Sequence, residues 1–180
     1  MHLTTRPHLF TLLFLTLTWS WTLAFLAGRM HLKALAIRLS PLLLLWGNLH
    51  GGFIIAPLLL LWTGGAAYIN NRLTKDTSQK AALLVGLGLF SMLLGGVNPY
   101  GFSIYSHLFA FLSNPFITEN TSDFQGATLA EGTLLPWVLL IAWNLTAGFL
   151  SRKKMRAWEV LTIIGALLGG WMSVRNIPIA

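Results

Sequence analysis

The segment Asn48-Leu49-His50-Gly51-Gly52 interrupts a run that is otherwise apolar from Leu39 to Ile69. Polar and ionisable groups are costly in hydrocarbon and occur there facing protein or a water-filled cavity, so an imidazole, an amide and paired glycines mark this as the most constrained stretch of the chain. A helix of about 20 residues crosses a hydrocarbon layer roughly 30 Å thick, and Leu39 to Ile69 is too long for one ordinary span. Read as a single span, it would put Arg29/Lys33/Arg38 and Arg72/Lys75/Lys80 on opposite sides of a membrane. Read as two short segments turning at Asn48 to Gly52, it puts both basic loops on the cytoplasmic side, where short basic loops tend to stay. Glycine permits such a turn, so a broken helical hairpin is expected.

Composition points the same way. With 55% hydrophobic and only 9% charged residues, the chain has too little polar surface for a soluble domain. Cysteine is absent, which excludes disulfides, thiolate metal sites and a cysteine nucleophile. Leu9 to Ala27, Ala81 to Gly96, Thr133 to Leu150 and Trp158 to Val174 are the further apolar runs. Met1 to Ala27 is read as a span and not as a secretory leader, because its apolar stretch exceeds the usual h-region of about 7 to 15 residues. The expected fold is all-α and polytopic: about four transmembrane helices, the broken hairpin, and an interfacial amphipathic helix. Residues 1–180 read as a single transmembrane domain with an outward-facing segment at 97–132.

The net charge of +7 is concentrated in short inter-helical clusters, the third being Arg152, Lys153, Lys154 and Arg156. That distribution orients the chain and is not a nucleic-acid footprint. Residues 97–132 contain no Lys or Arg but carry Glu119, Asp123 and Glu131, and fall outside. Val97-Asn98-Pro99-Tyr100-Gly101 reads as a helix stop. Phe102, Tyr105, Phe109 and Leu112 follow at helical spacing, giving an amphipathic helix on the outer leaflet, and Asn114 to Gly132 reads as a polar, acidic loop.

Several side chains converge on the outer side in this topology: Arg6, Arg175, His107, Glu119, Asp123 and His50. Each has a structural and a functional reading. His50 is either hydrogen-bonded packing glue between helices or part of a polar site. Arg6 and Arg175 either snorkel to the interface or hold an anion. Glu119 and Asp123 are either solvated surface or acids beside a site, and their spacing alone does not make an acid/base pair. No metal-ligand spacing, phosphate-binding loop, dinucleotide fingerprint or nucleophile elbow is present, so no cofactor or metal is expected.

Separated pieces of the chain together resemble a known superfamily. They are Arg6-Pro7-His8-Leu9-Phe10, Leu45-Trp46-Gly47-Asn48-Leu49-His50-Gly51-Gly52-Phe53, Val97-Asn98-Pro99-Tyr100-Gly101, Ile117-Thr118-Glu119-Asn120-Thr121-Ser122-Asp123-Phe124, and Ser173-Val174-Arg175-Asn176-Ile177-Pro178. In this order and spacing they resemble bacterial GT-C membrane glycosyltransferases, relatives of the protein mannosyltransferases and of the enzymes that move sugars onto lipid A. The resemblance implies a multi-pass protein of the bacterial inner membrane that takes a sugar from a polyprenyl-phosphate carrier to an extracytoplasmic acceptor. It implies Arg175 and Arg6 as ligands of the lipid phosphate, Asn48 and His50 as polar lining of the cavity, and Glu119 and Asp123 as acceptor-side acids. Membrane lipid and the polyprenyl-phosphate sugar are the expected partners.

The chain departs from that pattern in its acids. The principal catalytic carboxylate of the superfamily lies in a first outward loop, ahead of the region that matches here, and Asn120 stands where relatives tend to carry an aromatic residue. The expectation is therefore the middle portion of a larger transferase, inactive alone, with its catalytic acid unassigned and a membrane-protein partner or further terminal portions completing it. The competing expectation is a small non-enzymatic membrane protein, transporter-like or a scaffold subunit, with a polar site at the Asn48 to Gly52 break.

Overall fold

The structure, a computed structural model, describes residues 8–70, 75–120, 134–150, 159–160, 162–165 and 167. Among them every regular element is helical and no strand occurs, as the apolar runs predict. The elements are α1 (His8–Leu26), α2 (Leu32–Leu49), a 3-10 turn (Gly51–Ile54), α3 (Ile55–Asn70), α4 (Lys75–Gly95), α5 (Ser103–Leu112), α6 (Pro115–Asn120) and α7 (Leu134–Leu150). Two stretches, Leu32–Leu49 and Gly51–Ile69, are long and apolar enough to cross a membrane. The chain divides into two compact units, Met1–Leu108 and Phe109–Ala180.

In the first unit, α1 to α4 run alternately up and down. Phe14 of α1 meets Trp46 of α2 edge-on, with ring centroids 5.6 Å apart, and Arg38 lies 5.8 Å from the Trp21 ring centre, so α1 and α2 are antiparallel. Gly64 of α3 faces Ala81 and Val85 of α4, and Gly88 of α4 faces Leu61, so α3 and α4 are also antiparallel. Asn48 near the end of α2 reaches Val97 just beyond α4, which sets those two ends side by side. The chain therefore reverses at the polar break that the sequence marks.

Helix ends follow from local chemistry. Gly28 adopts φ +75°, Arg29 N–H donates to Ala24 O at 2.8 Å and Gly28 N–H to Phe25 O at 3.0 Å, a paired C-cap that stops α1. In α2, Leu35, Leu39, Leu42, Leu43 and Trp46 are buried at three- to four-residue spacing, one apolar stripe. That stripe begins before Leu39, so α2 starts at Leu32 and keeps Lys33 and Arg38 on its exposed side. Each half of the hairpin is consequently a full-length helix and not the short segment expected. Likewise α4 begins at Lys75, ahead of the apolar run Ala81 to Gly96, and takes in Lys75 and Lys80 of the second basic cluster. Its end matches expectation: α4 stops at Gly95, Tyr100 N–H donates to Asn98 Oδ1 at 2.8 Å, and Gly101 takes φ +56°.

Large apolar side chains occupy both the interior and the surface of these helices: Leu35, Leu39, Trp46, Phe53 and Leu60 are buried beside Thr11, Thr18, Thr22, Thr63, Ala66, Ala67, Ala81 and Ser91, while Leu13, Ile37, Leu45, Leu58, Trp62, Leu89 and Leu93 are exposed. Small residues let helix backbones approach closely, which is how helices associate where outward apolar side chains gain nothing from being hidden. Three buried hydroxyls are satisfied within their own helix: Thr18 donates to Phe14 O, Thr22 to Thr18 O and Ser91 to Leu87 O. Thr63 Oγ1 is buried with no hydrogen-bond partner.

In the second unit, α7 coincides with the predicted run Thr133 to Leu150 and exposes Leu135, Leu139, Trp143, Leu145 and Leu150. The stretch read as a loop after Asn114 contains a helix. Phe116 N–H donates to Asn114 Oδ1 at 3.0 Å and Pro115 occupies the first helical position, two start signals that nucleate α6. Of the run Trp158 to Val174, residues 159–160, 162–165 and 167 are helical.

Candidate functional site

His50 is the one non-helical residue between α2 and the 3-10 turn, in extended conformation at φ −158° and ψ 138°. Its backbone N–H still bonds back to Trp46 O at 2.9 Å, which closes α2, while its own carbonyl accepts from Phe53 N–H at 3.2 Å. The ring then turns back over the reversal. Gly52 N–H donates to Nδ1 at 3.0 Å, capping the 3-10 turn, and Thr11 Oγ1 of α1 lies 3.0 Å from the same nitrogen. Trp46, fully buried, donates from its indole Nε1 to Thr11 Oγ1 at 3.3 Å. One imidazole thus joins α1, α2 and the start of α3.

Close approach explains the glycine at 52. A Cβ there would stand 2.7 Å from Thr11 Oγ1 and 2.8 Å from His50 Nδ1, inside the hydrogen-bonded group itself. At Gly51 a Cβ would meet only the end of the Leu108 side chain, a neighbour able to move.

Asn48 does a different task. Its Nδ2 donates to Leu44 O at 2.8 Å within α2 and to Val97 O at 3.1 Å beyond α4, tying the α4–α5 turn to α2. Asn98 secures the same turn by donating to Gly95 O at 2.6 Å. Tyr105 of α5 donates its hydroxyl to Met92 O and packs edge-on against Phe53 with ring centroids 5.9 Å apart. Burial raises the Tyr105 phenol above its ordinary value of 10.0. Gly95 must lack a side chain here, because a Cβ would overlap both Phe53 and the Tyr105 hydroxyl.

This end of the bundle therefore collects Thr11, Trp46, Asn48, His50, Asn98 and Tyr105. The described stretches that build it, residues 8–14, 44–56 and 91–108, contain no Lys, Arg, Asp or Glu. Arg29 and Lys33 lie at the opposite end, where Gly28 faces Lys80 Nζ. The arrangement can bind by neutral hydrogen bonding; a full charge for anion binding would have to come from elsewhere in the chain.

Of the residues singled out from sequence, the structure brings Asn48 and His50 to one end of one unit, each engaged in inter-helical hydrogen bonds. Arg6, Arg175 and Asp123 lie outside the described residues. Glu119 sits exposed on α6 in the second unit, on a helical turn and not in the expected loop. Among the described residues no three His, Asp or Glu side chains are grouped to hold a metal. Sequence reasoning passed over Thr11, Trp46, Asn98 and Tyr105 as site components. Thr11 had a signal: Thr11, Thr18 and Thr22 are spaced to fall on one helix face, and all three are buried. The pairing of that face with His50 needed the tertiary structure.

Compared with known proteins, the chain matches no family model, no curated protein and no solved structure.

Proposed function

We propose that the chain is a multi-pass bundle of the bacterial inner membrane and forms part of a polyprenyl-phosphate-dependent sugar transferase. One observation carries the reading. The segments Leu45–Phe53 and Val97–Gly101, far apart in sequence and both part of the GT-C resemblance, meet through the Asn48 to Val97 hydrogen bond, with the start of α1 joined to them through Thr11. Convergence of dispersed motif residues at one end of a bundle is what a shared site requires. The exposed apolar faces and small-residue seams support insertion in lipid. Basic residues at the other end support an outward orientation for the motif end.

In this reading Arg6 and Arg175 hold the departing lipid phosphate through charge-assisted bonds, Asn48 and His50 line the outward cavity, and Glu119 and Asp123 assist the acceptor. The second reading, a transporter-like or scaffold subunit, is favoured by the use of Asn48 and His50 side chains in holding helices together.

The test is photolabelling of the chain in phosphatidylethanolamine/phosphatidylglycerol vesicles by a diazirine-bearing polyprenyl phosphate. The transferase reading expects saturable labelling, weakened about tenfold or more by Arg6→Ala and by Arg175→Ala, since a bond to a charged group contributes roughly 1.5–3 kcal/mol. Labelling indifferent to both arginines overturns it. A response confined to Asn48 and His50 variants moves the subunit reading ahead.

A further inference from the structure

Arg38 is a cation set well inside an apolar helix. At 1.5 Å per residue it stands about 9 Å along the α2 axis from Leu32. Its side chain is exposed, and its guanidinium carbon lies 5.8 Å from the centre of the Trp21 ring on α1, within cation–π range. Trp21 itself stands about 7.5 Å along α1 from Leu26, so the ring holds the cation at helix depth. An arginine near a helix end usually stretches its stem to the water, whereas this one is turned onto its neighbour. Apart from that ring, Arg38 has no hydrogen bond or ion pair among the described residues. A guanidinium carries five N–H donors, and at such a level in an apolar helix it is costly unless an anion meets it. The surroundings are of one sign. Residues 27–38 carry Arg29, Lys33 and Arg38, residues 70–80 carry Arg72, Lys75 and Lys80, and Asp76 is the one acid in either stretch. The two stretches meet where Lys80 Nζ lies beside Gly28.

We propose that Arg38 and Trp21 form a binding site for the phosphate of an anionic phospholipid of the cytoplasmic leaflet, of the phosphatidylglycerol class. The guanidinium fork donates to the phosphate oxygens while the indole holds it in place. The acyl chains lie along the apolar surface of α2, where Ile37 and Leu45 are exposed. Arg29, Lys33 and Lys80 at the same end draw anionic headgroups toward the site. The His50 end is at the opposite end of α2, so this lipid is not the sugar carrier. The inference rests on the membrane reading with the basic end cytoplasmic, and not on the transferase reading.

The experiment is native mass spectrometry of the full chain in detergent, titrated with dioleoyl phosphatidylglycerol or with dioleoyl phosphatidylcholine. Flotation of the chain with liposomes in alkaline carbonate checks the membrane reading first. A chain that does not float fails that reading and the site with it, whereas a floating chain without lipid preference fails the site alone. The wild type is expected to hold one phosphatidylglycerol more tightly than phosphatidylcholine. Arg38→Gln should weaken that step about tenfold, the size of a lost bond to a charged group. Trp21→Leu, which frees the cation, should weaken it about threefold. Arg38→Lys keeps the charge and should retain part of the preference, which separates a lost site from a lost fold. Lys33→Gln removes the same charge from the same end and should change binding less than about twofold. Equal losses in Arg38→Gln and Lys33→Gln overturn the proposal, because diffuse attraction then suffices, and so does equal affinity for the two lipids. Inorganic phosphate in excess should leave the lipid bound; displacement by it overturns the lipid assignment.

Discussion

The α3–α4 seam and the His50 end of the same bundle are held together by opposite means. Along the seam, Gly64 and Gly88 bring backbones and side chains into direct contact, Ala67 and Ala81 are fully buried, and the buried Thr63 hydroxyl makes no bond at all. At the His50 end, α1, α2 and the 3-10 turn meet through hydrogen bonds among Trp46, Thr11, His50 and Gly52. The seam depends on shape and tolerates an idle hydroxyl. The His50 end depends on the direction of its hydrogen bonds.

Substitutions in the two regions break or sharpen that comparison. The largest effect is expected from Gly64→Val. Its Cβ alone would sit 3.0 Å from Ala81 O and from Val85 N, backbone atoms that cannot turn aside. Overpacking of this kind costs about 3 kcal/mol, measurable by steric-trap unfolding in bicelles. Gly65→Ala is the matched control: nothing lies within 4 Å of its Cβ, so it should be neutral or slightly stabilising. Gly52→Ala comes next, at about 2 kcal/mol, since it wedges Thr11 from His50 and costs two bonds rather than packing. If the loss came with an unchanged His50 ring environment by NMR, the end would be held by shape after all.

Asn48→Leu should cost about 1 kcal/mol, within the range for inter-helical hydrogen bonds in membranes, and should raise hydrogen exchange in the α4–α5 turn selectively. The smallest effect is expected from Thr63→Val. It keeps the side-chain shape and removes an unpartnered hydroxyl, so stability should rise by about 0.5 kcal/mol in the same unfolding assay. The same Thr→Val change at position 11 should destabilise. Equal signs at the two positions would erase the distinction between the regions.

Much of this architecture is legible in the residues. The break at Asn48 to Gly52, the stop at Val97 to Gly101 and the helical spacing from Phe102 to Leu112 each come from local chemistry, and the structure has a helix end or helix at each. What local chemistry does not carry is extent. Lys33 and Arg38 mark a polar boundary by composition, yet α2 runs past both because its buried stripe starts at Leu35 on another face. Asn114 and Pro115 are start signals inside a stretch whose polarity suggests a loop, and the start signals prevail in α6. The site was legible only in half. Polar residues in an apolar run draw notice by contrast, whereas Thr11 and Trp46 blend into apolar helices and become informative only when α1 is laid against α2.

The extended backbone of His50 has a consequence for the phase of the bundle. A single residue separates the last turn of α2 from the 3-10 turn that starts α3, and side chains on both sides of it are committed: Trp46 to α1, Phe53 to α4 and α5. One residue inserted after His50 would rotate everything downstream by roughly 100° about the α3 axis, since an α-helix advances 3.6 residues per turn. Gly64 would swing off the α4 backbone and bulkier neighbours would swing onto it. The length of this reversal is thus fixed at both ends, and a one-residue insertion there should be poorly tolerated.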